Sequence, residues 1–388
     1  METSGAQTVG ATTALTIDLD ALVGNWCRIR DALGAAPGCS GAPGGAAGTE
    51  AAAVVKADAY GCGARTVAPA LYRAGCRTFF VANLSEALDL RPVLPRDAAL
   101  AVLCGPHPGE EGFYRDAGLT PVLNSATQMA FWHAVPFAAT WPCFWHIDTG
   151  MTRLGLDPDD LPPALPYPDN PPVLMTHLAC ADEPEHPVNP DQVARFRAAL
   201  DRIPGGHALR TSVGASGGIV LGGPYHGNLV RPGIVLYGGN PAPGHAAPLS
   251  PVVRLQAKIL QIRHIDTPKT VGYGATARVE KGARLATVGI GYADGYPRSA
   301  SNRAVACLGD YRLPVTGRVS MDLVTLDVSH VPEHLTPPGT MVDMIGPDYG
   351  IEDLAQAAGL ISYEILTGLK PRCPRVYGPI GPGREETA

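Results

Sequence analysis

Lys56 closes the apolar run AAAVVK and opens the stretch VVKADAYGCG. A lysine at the mouth of an apolar channel loses solvation for its charged form, which leaves a nucleophilic amine able to condense with an aldehyde. The other reading of such a position is a lysine that snorkels to solvent from a strand end. Far along the chain, Ser216-Gly217-Gly218 and Arg231-Pro232-Gly233-Ile234 lie at two further apolar runs. Small residues with free backbone N–H groups make a phosphate cradle, although each Gly-rich stretch taken alone is also an ordinary tight turn. Lysine and cradle together point to a phosphorylated aldehyde cofactor. Arg231 beside the cradle could face a pyridine nitrogen and keep it unprotonated, because a guanidinium does not give up its proton; taken alone it reads as a surface ion-pair partner.

These residues need a frame that gathers them. Between about residues 50 and 240, eight apolar runs (AAAVVK, TFFVAN, LAVLCG, LTPVLN, CFWHID, VLMTHLA, LRTSVG, LVRPGIVLYG) alternate with longer amphipathic segments. Eight strand–helix repeats predict a closed (β/α)8 barrel, in which chemistry sits just past the C-terminal ends of the strands. CGARTVAPALYRAG and NPDQVARFRAALDRI read as helices, the second with Asn189 as its cap and Pro190 in its first turn. After Pro241 the texture changes to alternation in VVRLQAKILQIRHI and to strands joined by a Gly309-Asp310 turn, so a separate mainly-β domain is expected. The expected division is a flexible N-terminus over 1–13, the barrel over 14–242, the β domain over 243–380 and a flexible tail over 381–388. Residues 36–50 read as a flexible connection and 157–172 as a Pro-laden loop.

Composition narrows the partners. A chain of 388 residues, 45% hydrophobic and 17% charged, is long enough for more than one core. A net charge of -6 gives no basic footprint for nucleic acid, and no apolar stretch is long enough to span a membrane. Nine scattered cysteines are never spaced as a zinc or redox pair, so free thiols in a reducing compartment are expected and no metal is. The first residues, METSGAQTVGATTA, lack the pattern of a secretory signal. The expectation is a cytoplasmic protein whose partners are small molecules.

VVKADAYGCG, HIDTGMTRLG, MTHLACADEPEHPVN, ASGG, RPGIVLYG, VGYGATA, VGIGYADGYPR, GRVSMDLVTLDV and YEILTGLKPRCPRVY resemble, in order and across nearly the whole chain, the alanine racemases. The resemblance implies a fold-type III pyridoxal-phosphate barrel with a β domain, working as a head-to-tail homodimer that supplies D-alanine for peptidoglycan. It implies Lys56 as the Schiff-base lysine, Tyr60, Ser216, Gly233, Ile234 and Tyr363 on the phosphate, and Arg231 at the pyridine nitrogen. His177 would link Arg231 to Tyr273 of the other subunit, and Arg153 would contact the cofactor's phenolic oxygen and the substrate carboxylate. Tyr292 and Met321 would line the way in, and Asp322 reads as a supporting acid or a turn-stabilising carboxylate. Asp294 reads as a turn residue. Lys56 and Tyr273 would be two bases on opposite faces of the cofactor, and a tyrosine base requires nearby positive charge to bring its proton affinity down.

The chain departs from the family where many members carry a carbamylated lysine before the HIDTGM aspartate; here the residue is His146. Arg153 must then be held by an anion, by another acid, or less firmly. Cys62 and Ser320 also stand where other members differ. Two rival functions remain open on the residues: a serine or broad-specificity amino acid racemase, and a non-catalytic protein that binds pyridoxal phosphate or D-cycloserine as a resistance device. The intact Tyr273 argues against the second.

Overall fold

The computed structural model describes residues 10–34, 48–242 and 249–380. The expected flexible tail, most of the expected flexible N-terminus and most of the Gly/Ala-rich 36–50 stretch lie outside the described residues. All eight apolar runs form parallel strands: Glu50–Ala51 continued by Ala53–Val54, then Thr78–Val81, Ala99–Val102, Leu119–Leu123, Phe144–His146, Val173–Met175, Thr211–Ser212 and Leu229–Val230. Each pairs with the next in sequence from the first to the seventh. Leu229–Val230 pairs with Glu50–Ala51, and the ladder continues as the Ala52 and Val54 amides donate to Val230 and Pro232 carbonyls at 3.0 and 2.9 Å. An Ala215–Arg231 bridge joins the seventh and eighth strands, so the ring closes. Strands enclosed on both faces tolerate no polar alternation, and Leu119–Leu123 is buried at every position.

Two elements differ from the sequence reading. The strand Thr13–Ile17 stands outside the barrel and pairs antiparallel with Val253–Ala257 and parallel with Arg375–Tyr377. Its side chains alternate buried and half-buried, which suits a sheet covered on one face and not a barrel stave. Asn189 does not cap its helix, which spans Val188–Asp201 with Pro187 at the cap. The Asn189 amide is fully buried and donates to the Cys180 and Glu183 carbonyls, stapling the preceding loop to the helix.

The C-terminal part is β-rich as expected. The long strand Val253–His264 pairs along its length with Thr13–Ile17, Met341–Ile345 and Arg284–Val288. Val305–Leu308 and Tyr311–Pro314 form the hairpin turned by Gly309-Asp310. One apolar core runs through barrel and β region together. A separate small core of Ile265, Val271, Val279 and Leu285 underlies the hairpin Lys269–Val271 with Ala277–Val279. Tyr273 lies in the connection at the tip of that hairpin.

Candidate active site

Lys56 leaves the first barrel strand into a turn whose next four residues, Ala57 to Tyr60, all have φ between 52° and 54°. A left-handed turn of non-glycine residues costs roughly 1–2 kcal/mol per residue, so it persists only where its surroundings enforce it. Here the Asp58 carboxylate accepts from the Ala64 amide at 2.7 Å, and Glu86 accepts from the Ala57 and Ala82 amides at 2.8 and 2.7 Å. The β region adds Arg375, which donates to the Gly61 carbonyl, and Tyr377, which donates to Cys62. The Lys56 amine is largely buried and lies within the electrostatic reach of Arg153, Glu86 and Arg231. Burial lowers its pKa, and the Arg153 charge lowers it further against the opposing pull of Glu86.

Arg231 is buried, and its two terminal nitrogens are spent on the Ser212 carbonyl and hydroxyl, on the Thr176 and Val213 carbonyls, and on His177 Nδ1 at 3.4 Å. It is therefore no surface ion-pair partner. Burial pulls its pKa down to about 10, which still leaves it charged at neutral pH. His177 accepts that bond through Nδ1, and burial together with the Arg231 charge brings its pKa to about 3. A neutral imidazole accepting at Nδ1 carries its proton on Nε2, so the donor of His177 is Nε2–H while the positive charge stays on Arg231.

His146 is also neutral. Burial first, then Arg231, brings it to about 4. The Asn124 amide nitrogen donates to the Leu103 and Val122 carbonyls, which turns its oxygen toward His146 Nδ1 at 2.8 Å and places that imidazole's proton on Nδ1. The nearby acid is Asp148, whose carboxylate accepts from the Gly150, Met151 and Thr152 amides. The Arg153 loop is closed further by Gly155 donating to the Asn124 carbonyl. Asp148 therefore shapes the backbone that leads into Arg153, whose own side chain is exposed.

The cradle forms from the seventh and eighth strand ends. The Gly233 amide donates to Ser216 Oγ at 2.9 Å, and a Cβ on Gly233 would collide with the Tyr60 hydroxyl. Ile234 is fully buried behind it. The Tyr60 ring stacks on Tyr237 at 4.7 Å and stands 6.0 Å from the Tyr363 ring. Burial pushes the Tyr363 hydroxyl up to about 12, so it remains a protonated donor. A group rich in acceptor oxygens fits beside the hydroxyls of Tyr60, Ser216 and Tyr363, and the Arg231 Nε–H, unused by its protein bonds, fits an unprotonated ring nitrogen.

Tyr273, Tyr292 and Met321 are not in this mouth. They lie in the β region and are 70%, 38% and 53% exposed. Gly272, Gly274 and Ala275 around Tyr273 all have positive φ, which gives the hairpin tip a defined shape. Asp322 and the buried Asp294 share Arg372. Sequence reading passed over Asn124, Asp148 and Glu86; the first two end apolar runs and were open to the strand-end rule, whereas Glu86 reaches the site from a helix and carries no such signal. Among the described residues no cluster of three or more His, Cys, Asp or Glu could hold a metal ion.

This is a barrel enzyme with a partly buried lysine just past its first strand and a β region hydrogen-bonded to the loop that follows. Residues 17–241 match the alanine racemase N-terminal domain and residues 252–377 the alanine racemase C-terminal domain. The chain is 51% identical over 380 residues to an alanine racemase of Rhodospirillum rubrum, covering 96% of this chain and 98% of that one. It is 46% identical to a catabolic alanine racemase of Agrobacterium fabrum, over 96% and 94% of the two. The Bartonella henselae alanine racemase with covalently bound pyridoxal phosphate superposes with a TM-score of 0.82 at 36% identity, covering 95% of this chain and 99% of that chain. The chain belongs to the alanine racemase family.

Proposed function

We propose that the chain interconverts L- and D-alanine with pyridoxal 5'-phosphate on Lys56, as a homodimer in which Tyr273 of the partner subunit supplies the second base. The observation that carries this reading is the split of the chemistry: the lysine, cradle and guanidinium converge in one buried mouth, while the tyrosine is 70% exposed on a shaped hairpin of the β region. Bound there, the cofactor supplies an electron-withdrawing ring that acidifies the substrate's α-hydrogen. Tyr60, Ser216, Gly233, Ile234 and Tyr363 hold its phosphate, and Arg231 donates to its ring nitrogen without yielding a proton. Lys56 Nζ moves the α-proton on one face and Tyr273 Oη on the other, because inversion demands removal and return on opposite sides. His177 Nε2–H stabilises the tyrosinate, with Arg231 behind it as the source of positive charge. Arg153 pairs with the substrate carboxylate, and Tyr292 and Met321 bound the way in.

A cytoplasmic setting belongs to the same proposal, supported by eight free cysteines among the described residues. No helix of the described residues is long and apolar enough to cross a membrane. The test is D-alanine formation from L-alanine by the protein loaded with pyridoxal phosphate, with L-serine as competitor and Lys56→Ala as control. Turnover that depends on Lys56, with serine much slower, is expected. Comparable rates would favour a broad-specificity racemase; bound cofactor with no turnover would favour a binding protein.

A further inference from the structure

Tyr292 and Met321 sit on two separate segments that must keep a fixed spacing if they are to bound a channel. The Tyr292 and Ala293 amides donate to the Ser320 and Met321 carbonyls at 3.1 and 2.9 Å, and a Cβ on Gly291 would collide with that strip of backbone. One side chain also spans the pair. Arg372 Nε meets Asp294 Oδ1 at 3.0 Å and its Nη1 meets Asp322 Oδ1 at 2.7 Å. Asp294 is buried, and its second oxygen accepts from the Gly291 amide at 2.9 Å, which shapes the turn that bears Tyr292. Asp322 directly follows Met321.

We propose that Arg372 is a positioning residue that sets the width of the substrate channel, by tying the turn of Tyr292 to the loop of Met321. The inference rests on the reading that these two side chains bound that channel. A guanidinium suits the task because its donors diverge at fixed angles and reach two carboxylates at once, whereas an ammonium is a point charge. It also neutralises the buried Asp294 carboxylate, which would be costly to leave alone. Arg372 touches neither proposed base and no part of the cradle. Its loss therefore spreads the channel walls without altering the proton-transfer geometry.

The experiment compares Arg372→Gln, Arg372→Lys and Asp322→Asn in the loaded enzyme, with cofactor absorbance, dimer mass and melting temperature recorded alongside. For Arg372→Gln the KM for alanine should rise about fivefold with kcat within about twofold, the pattern of lost uniform binding. Discrimination against serine should fall in step. Asp322→Asn should shift KM in the same direction, the Gln/Asn double variant should show less than the product of the two single effects, and Arg372→Lys should recover only part. Unchanged KM and serine discrimination in folded Arg372→Gln, or independent effects in the double variant, would overturn the proposal; if Arg372→Gln does not fold, unchanged values in Asp322→Asn do so. Tyr292→Ala and Met321→Ala separate the two levels. If they move KM and the Arg372 and Asp322 variants do not, only this inference falls; if they too leave KM and serine discrimination unmoved, the channel reading falls with it.

Discussion

The barrel mouth and the β-region face solve opposite problems. In the mouth the buried framework is fixed by its own chain: Arg231 spends both terminal nitrogens on protein acceptors, Asn124 sets the His146 tautomer, and Ser216 is bonded to Gly233. On the β-region face, Tyr273, Tyr292 and Met321 are exposed and meet no such enclosure, although the hairpin and turn beneath them are well defined. On the proposed reading, these uncovered side chains are the half of the site offered to a second chain. The mouth then supplies the cofactor site from one chain, and in this proposal the β region of a second chain supplies the remaining base.

The sharpest way to break this contrast is at the mouth. Lys56→Ala should remove at least about a thousandfold of racemisation, since it deletes both the covalent anchor and one base. On the other region, Tyr273→Phe should cost about a hundredfold or more in kcat while the protein still binds cofactor, because only a proton acceptor is lost. An equal loss of cofactor would place Tyr273 in the wrong region's role. The mouth should also impose a pH dependence that the exposed face does not. His146 has a folded pKa near 4 against the usual 6.5, so the unfolded chain binds the extra proton first as pH falls. Its stabilisation is full above about pH 6.5 and is lost between there and about 4, amounting to roughly 3 kcal/mol. Denaturant melts across that window should show this slope flattened in His146→Gln; an unchanged slope would mean that His146 is not buried as a neutral ring. Smallest, Gly233→Ala should weaken cofactor affinity by about tenfold through the collision with Tyr60, with little change in melting temperature without cofactor.

The same contrast explains what the sequence could disclose. All eight staves were legible because enclosed parallel strands are continuous apolar runs, and Lys56, Ser216 and Arg231 were legible by standing at their ends. Thr13–Ile17 was misplaced because five residues cannot announce a partner some 240 positions away, although their alternation spoke against a barrel stave. Asn189 has a capping residue's identity but is buried among loop carbonyls, so tertiary contacts overrode local preference. The shaping of the loop before Arg153 was not legible, because Asp148 acts through backbone amides that any sequence would offer. For Tyr273 the residues alone gave no more than one tyrosine among 13, and its role came from the family resemblance.

Mixing Lys56→Ala chains with Tyr273→Phe chains tests the shared site most directly. Each mixed dimer rebuilds one site with both bases and one with neither, so random exchange of two inactive proteins should restore about a quarter of the parent activity by the arithmetic of a two-fold dimer. No recovered activity, with mixed dimers confirmed by mass, would contradict the account and return Tyr273 to its own chain's surface.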